Sequence, residues 1–223
     1  MPLPVLRDFV DMLFAMRLPV VGMGVIFIGV AWLAAREFAD AFLDALALLG
    51  ALVTLGRFLL LQAYHRAKPI RTATELLRWE RGYALGSHAF AVLLALLNVR
   101  ALTWHYPLLH LITISLVFGY GAGIVSRISI RPRICVISLL LATVPTILAI
   151  AWHAGSAHEV PLHGELFAIE ALLVAMITAL SLQTVAHLHR STVAHHLTRH
   201  DLAELAHHDA LTGLANRLLL RER

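Results

Sequence analysis

Six apolar stretches of near membrane-spanning length constrain this chain more than any other feature. They cover residues 18–35, 41–62, 83–97, 108–125, 134–152 and 166–186. Most approach the roughly 20 residues that a helix needs to cross a ~30 Å hydrocarbon core. The third is the shortest; it can extend through Asn98 and Val99 or begin within Arg81–Gly82. Lipid offers no partner for free backbone groups, so each span must be helical. Only 14% of the 223 residues are charged, against about 25% in an ordinary soluble domain. The fold class expected is all-α: a six-span transmembrane bundle over 18–186, in contact with the lipid bilayer.

Lys and Arg set an orientation. Arg66, Lys68, Arg71, Arg78 and Arg81 lie between spans two and three, and Arg127, Arg131 and Arg133 between spans four and five. Arg190 and Arg199 follow span six, and Arg7 and Arg17 precede span one. The opposite connections hold only Arg36 and Arg100. Positive charge accumulates on the cytoplasmic side, so both termini are expected there. The same topology accounts for a pI near 9.8 without a nucleic-acid partner. The single cysteine, Cys135, excludes an internal disulfide and reads as a small packing residue. Residues 1–17 place Leu6, Phe9, Val10, Leu13 and Phe14 at helical spacing beside Asp8 and Asp11. That pattern fits a short amphipathic helix on the cytoplasmic membrane surface, or a plain extension of the first span.

Composition changes after span six. Residues 187–208 are polar and free of Gly and Pro, and read as a cytoplasmic continuation of the last helix. A heptad register places Leu188, Leu202 and Leu205 in a seam, but also His195 and Thr198, so a coiled coil has weak support. The chain then reads Asp209-Ala-Leu211-Thr212-Gly213-Leu214-Ala-Asn216-Arg217. Asp209 can cap a turn, Gly213 permits a tight bend, and Asn216-Arg217 can begin another helix.

This stretch closely resembles the DxLTGLxNR signature that opens the GGDEF domain of diguanylate cyclases. Asp209, Leu211, Thr212, Gly213, Leu214, Asn216 and Arg217 all match. The resemblance covers about the last 20 residues. It implies a linker helix over 187–208 and the truncated start of an α/β GGDEF domain over 209–223. In that family the opening motif serves domain architecture, while the GG(D/E)EF loop, the metal-binding carboxylates and the guanine-recognition residues lie downstream. No catalytic residue is therefore assigned within 1–223. The resemblance implies a sensory region of a bacterial inner-membrane enzyme that acts as a homodimer and joins two GTP into cyclic di-GMP with Mg²⁺. A degenerate GGDEF domain, one followed by an EAL phosphodiesterase domain, and a non-catalytic membrane protein or transporter are the rival expectations.

Polar residues in and around the spans supply candidate sensing sites. His105 and His110 lie where span four begins, and His153, His158 and His163 with Glu159 in the connection before span six. Such groups can bind a metal or a haem, or titrate near neutral pH; they can equally be interfacial histidines. The five-residue spacing of the last three does not align on one helical face. His88 lies inside span three, and an ionisable residue there is a functional candidate by default. Arg57 is expected to snorkel from span two to the interface. Asp44 and Glu170 lie near outer span ends, where either can join the histidines or stand exposed. Trp32, Trp104 and Trp152 suit an aromatic belt. Gly119, Gly121 and Gly123 suit close helix packing, and Pro145 a kink in span five.

Overall fold

The computed structural model describes residues 3–15, 17–67, 72–104, 106–156 and 162–207. Among them the secondary structure is helical throughout. A short helix, α1 (Leu3–Phe14), precedes six long ones: α2 (Leu18–Phe38), α3 (Ala41–Arg66), α4 (Ala73–Leu102), α5 (Pro107–Ile128), α6 (Pro132–Ser156) and α7 (His163–His207). The six are long and apolar enough to cross a membrane, which is the make-up of a multi-pass membrane protein. Short connections make successive helices antiparallel. One end of the bundle, the basic end, carries α1 and the α3–α4 and α5–α6 connections. The far end carries the other three.

The helices outrun the apolar stretches, because caps rather than hydropathy set their limits. α4 begins ten residues before the predicted span, at Ala73. Thr72 accepts a hydrogen bond from the Glu75 amide at 3.3 Å, in the T-x-x-E spacing of a capping box. Arg78, Glu80 and Arg81 thus belong to helix rather than loop. α2 ends on Ala39, which adopts the left-handed conformation with φ 50°. Asp40 then caps α3, its carboxylate accepting from the Phe42 amide at 2.9 Å. Residues 39–40 alone join α2 to α3.

α4 is the centre of the bundle, packed against α1, α3, α5 and α6. Phe90 is fully buried there, with Phe27 of α2 at 5.4 Å and Tyr120 of α5 at 5.7 Å between ring centroids. α2 and α3 approach closely through glycines. A Cβ on Gly24 would come within 2.3 Å of Thr54, and one on Gly50 within 2.5 Å of Phe27. At Gly119 and Gly121 an added Cβ would lie in ordinary contact with Met23 of α2 and Leu139 of α6, at 3.6 and 3.4 Å, and at Gly123 it would lie 3.3 Å from Arg127 of the same helix, a looser approach than at Gly24 and Gly50.

α1 forms its own helix, and its apolar stripe is covered by protein. Leu6, Phe9, Val10, Leu13 and Phe14 are all buried against α3, α4 and α5. Phe14 stacks on Tyr64 at 4.0 Å, with Trp79 and Tyr83 edge-on around it. The Tyr64 hydroxyl donates to Asp11. Arg131 pairs with Glu80 at 2.9 Å and lies over Phe9. α1 is thereby fastened beneath the basic end.

α7 is a different kind of element. It is one unbroken helix of 45 residues, about 68 Å long. It packs on α6 and touches α5. Leu166, Leu172, Met176 and Leu180 are exposed.

Candidate functional site

Three of the sequence candidates, His110, His153 and Glu170, meet in one place, at the far end of the bundle where α7 begins. His110 stands one turn into α5 and Glu170 two turns into α7. Their Nε2 and Oε2 atoms are 2.8 Å apart. An Nε2–H donates to the Glu170 carboxylate, and the contact is an ion pair as well when the ring is protonated. Phe167, one turn before Glu170, is flanked by two imidazoles: His110 at 5.5 Å and His153 at 4.6 Å, both edge-on. The other ring nitrogen of His110, Nδ1, is buried and has no hydrogen-bond partner among the described residues. Together the four side chains tie α5, α6 and α7 where α7 begins.

Two of these placements correct the sequence reading. His153 is helical, in the last turns of α6, because that helix runs on to Ser156. Glu170 is paired rather than merely interfacial. His163 opens α7. His105, His158 and Glu159 lie outside the described residues, as does the whole of Asp209, Leu211, Thr212, Gly213, Leu214, Asn216 and Arg217. Among the described residues, no three His, Cys, Asp or Glu side chains gather closely enough to hold a metal. Asp44 is exposed in the first turn of α3 and joins nothing at this site.

The intramembrane candidates lie elsewhere. His88 Nδ1 is 2.8 Å from Ser138 Oγ, linking α4 to α6. Arg57 does not stand free to snorkel. Its stem lies against Gly86 of α4 and its guanidinium over Phe90 at 5.2 Å. Cys135 is fully buried, with Sγ 3.7 Å from the Ile124 carbonyl.

A second polar knot at the far end was not legible beforehand, because it centres on Asp40. Besides capping α3, Asp40 accepts from Arg100 Nε at 2.6 Å and from Trp104 Nε1 at 3.2 Å. Phe38 stacks on Trp104 at 4.6 Å. The Arg100 hydrogen bond holds the Asp40 carboxyl below its usual range, against the opposing effect of burial. Trp104 is therefore a hydrogen-bonded latch between the α2–α3 and α4–α5 connections, not only an interfacial ring. No family model, curated protein or solved structure matches this chain.

Proposed function

We propose that this chain is the membrane-embedded sensory and regulatory region of a diguanylate cyclase, which in its full-length form makes cyclic di-GMP from two GTP. One observation carries the reading. α7 runs without a break from the His110–Glu170 junction to His207, two residues before the segment that resembles the GGDEF-opening signature. A sensor of this kind needs a rigid element between its input and its output domain, and α7 has the position and length for it. The distribution of Lys and Arg supports an inner-membrane topology with both termini cytoplasmic.

In this reading the α5–α7 junction is the input. A change that makes or breaks the His110–Glu170 contact biases how α7 lies against α6, and interfaces of packed helices shift between discrete arrangements. The output is the relative placement of two catalytic domains in a homodimer. Mg²⁺ and GTP would bind in those domains, where the metal would supply charge neutralisation for phosphoryl transfer. The part of residues 1–223 is mechanical.

The test is GTP turnover with Mg²⁺ by the product of the complete reading frame containing these residues. Cyclic di-GMP formation is expected. Its absence from a folded, GTP-exposed dimer overturns the cyclase reading in favour of a degenerate or phosphodiesterase-linked domain. A Gly-Pro pair inserted near Val193 is expected to uncouple signal from output; an unchanged response counts against transmission through α7.

A further inference from the structure

The junction between α5 and α7 joins one base to one acid. Glu170 Oε2 lies 2.8 Å from His110 Nε2. Among the described residues no other hydrogen bond or ion pair reaches either side chain. Both are drawn away from solvent, with 14% of the His110 and 30% of the Glu170 side chain exposed. With a neutral ring the pair carries one net negative charge. With a protonated ring it carries none. A poorly solvated setting penalises the uncompensated charge, and the Nε2–H hydrogen bond strengthens when the ring is a cation. The second N–H of that cation, at Nδ1, meets no acceptor among the described residues, which offsets part of the gain. His110 is nevertheless the one counter-charge that Glu170 has there, and it is a counter-charge only when protonated.

The other ionisable groups at this end are engaged elsewhere or stand apart. α6 contributes His153, which meets Phe167 at 4.6 Å and not Glu170. α4 contributes Arg100, held by Asp40 at 2.6 Å. α2 ends with Arg36, which lies over Trp32, and with Glu37. α7 opens with His163 and the exposed Glu165. α1 packs on α5 from the basic end, away from the pair.

We propose that His110 is a proton-binding site that ties α5 to α7 through Glu170 in mild acid and loosens them as pH rises. Histidine is the side chain whose charge ordinarily changes between pH 5 and 8. The stability that the pair contributes is therefore greatest when the ring holds its proton and declines as the proton leaves. The meaning of the switch rests on the proposed function. There the far end faces away from the cytoplasm, where pH follows the medium, and the proton is the input that α7 carries inward.

The experiment is a double-mutant cycle read against pH, on the full chain purified in dodecyl maltoside. Thermal unfolding is followed from pH 8 to 5.5 for the wild type, His110→Gln, Glu170→Gln and the double variant. The other histidines titrate in all four proteins, so the cycle cancels them. The non-additivity of the two substitutions in unfolding temperature is expected to grow by about 2 °C between pH 8 and pH 5.5. The same growth should persist when all four proteins also carry His153→Gln. A coupling that stays flat or falls in acid overturns the proposal, as does one whose growth vanishes with His153. Where a variant does not fold, spin labels on exposed Leu111 of α5 and Leu173 of α7 carry the test in the otherwise native chain. Their distance distribution should narrow in acid, and an unchanged distribution overturns the proposal. None of these readouts uses cyclic di-GMP. A failed cyclase assay therefore leaves the proton site standing, and a flat coupling leaves the cyclase reading standing.

Discussion

α4 and α7 are both longer than a membrane requires, yet they are built on opposite plans. The most apolar window of α4 has a mean hydropathy of 1.6 and is 56% buried; that of α7 has 2.0 and is 11% buried. The more apolar helix is the more exposed one. In water this would be a contradiction. In lipid, apolar surface gains little by turning inward, and polar groups and close packing decide which helix becomes the core. α4 has the polar groups. Asn98 donates to the Thr113 carbonyl of α5, the Ser87 carbonyl accepts from Tyr120, His88 meets Ser138 of α6, and Glu80 meets Arg131. α7 offers Glu170 to His110, while its Thr178, Thr184 and Thr192 hydroxyls bond carbonyls of their own helix.

The contrast can be broken first by truncation. Phe90→Ala in α4 is expected to cost about 3 kcal/mol, whereas Leu172→Ala, on the exposed face of α7, should cost less than about 0.5 kcal/mol. Thermal unfolding in one detergent compares them, and equal losses would mean that α7 is packed after all. Asp40→Asn comes next, at about 2 kcal/mol for its charge-assisted bonds to Arg100 and Trp104. Its pH dependence has a definite sign. The folded carboxyl titrates below its unfolded value, so the stabilising effect is complete above about pH 4. It is lost as pH falls through the lowered value. The gap between wild type and Asp40→Asn should therefore be constant from pH 8 to 5 and narrow only in acid; a gap that widens in acid contradicts the assignment.

Smaller effects sharpen the comparison. A double-mutant cycle on Glu80 and Arg131, both largely buried, should give a coupling of about 1 kcal/mol. Glu170→Gln should change stability by less than about 1 kcal/mol. It should nonetheless alter disulfide cross-linking rates between cysteines placed on α5 and α7. Loss of stability without a change in cross-linking would make the junction a plain structural contact.

Hydropathy located all six long helices, because a lipid span leaves the backbone no other solution. It misjudged their ends, since Thr72 and Asp40 cap through side-chain hydrogen bonds that no apolarity scale registers. It also could not rank the helices from core to edge. That ranking rests on pairs such as Glu80–Arg131 and Asn98–Thr113, whose members lie 51 and 15 residues apart. The far-end histidines were legible as candidates, and Glu170 as a group able to join them or stand exposed; that it meets His110 depends on α5 and α7 lying side by side, which the sequence does not show. Asp40 was invisible for the same reason, its partners being 60 and 64 residues away.

The continuity of α7 has a further consequence in terms of leverage. Glu170 and His207 are 37 residues apart in one helix, a lever arm of about 55 Å. With Glu170 as fulcrum, a tilt of roughly 5° displaces the far tip by about 5 Å, on the scale of one helical turn. Under the proposed function, a small tilt of α7 would be read out at its far end as a displacement the size of a side chain, provided the shaft stays unbroken. α6 holds α7 along one flank, while Leu166, Leu172, Met176 and Leu180 stand exposed on it.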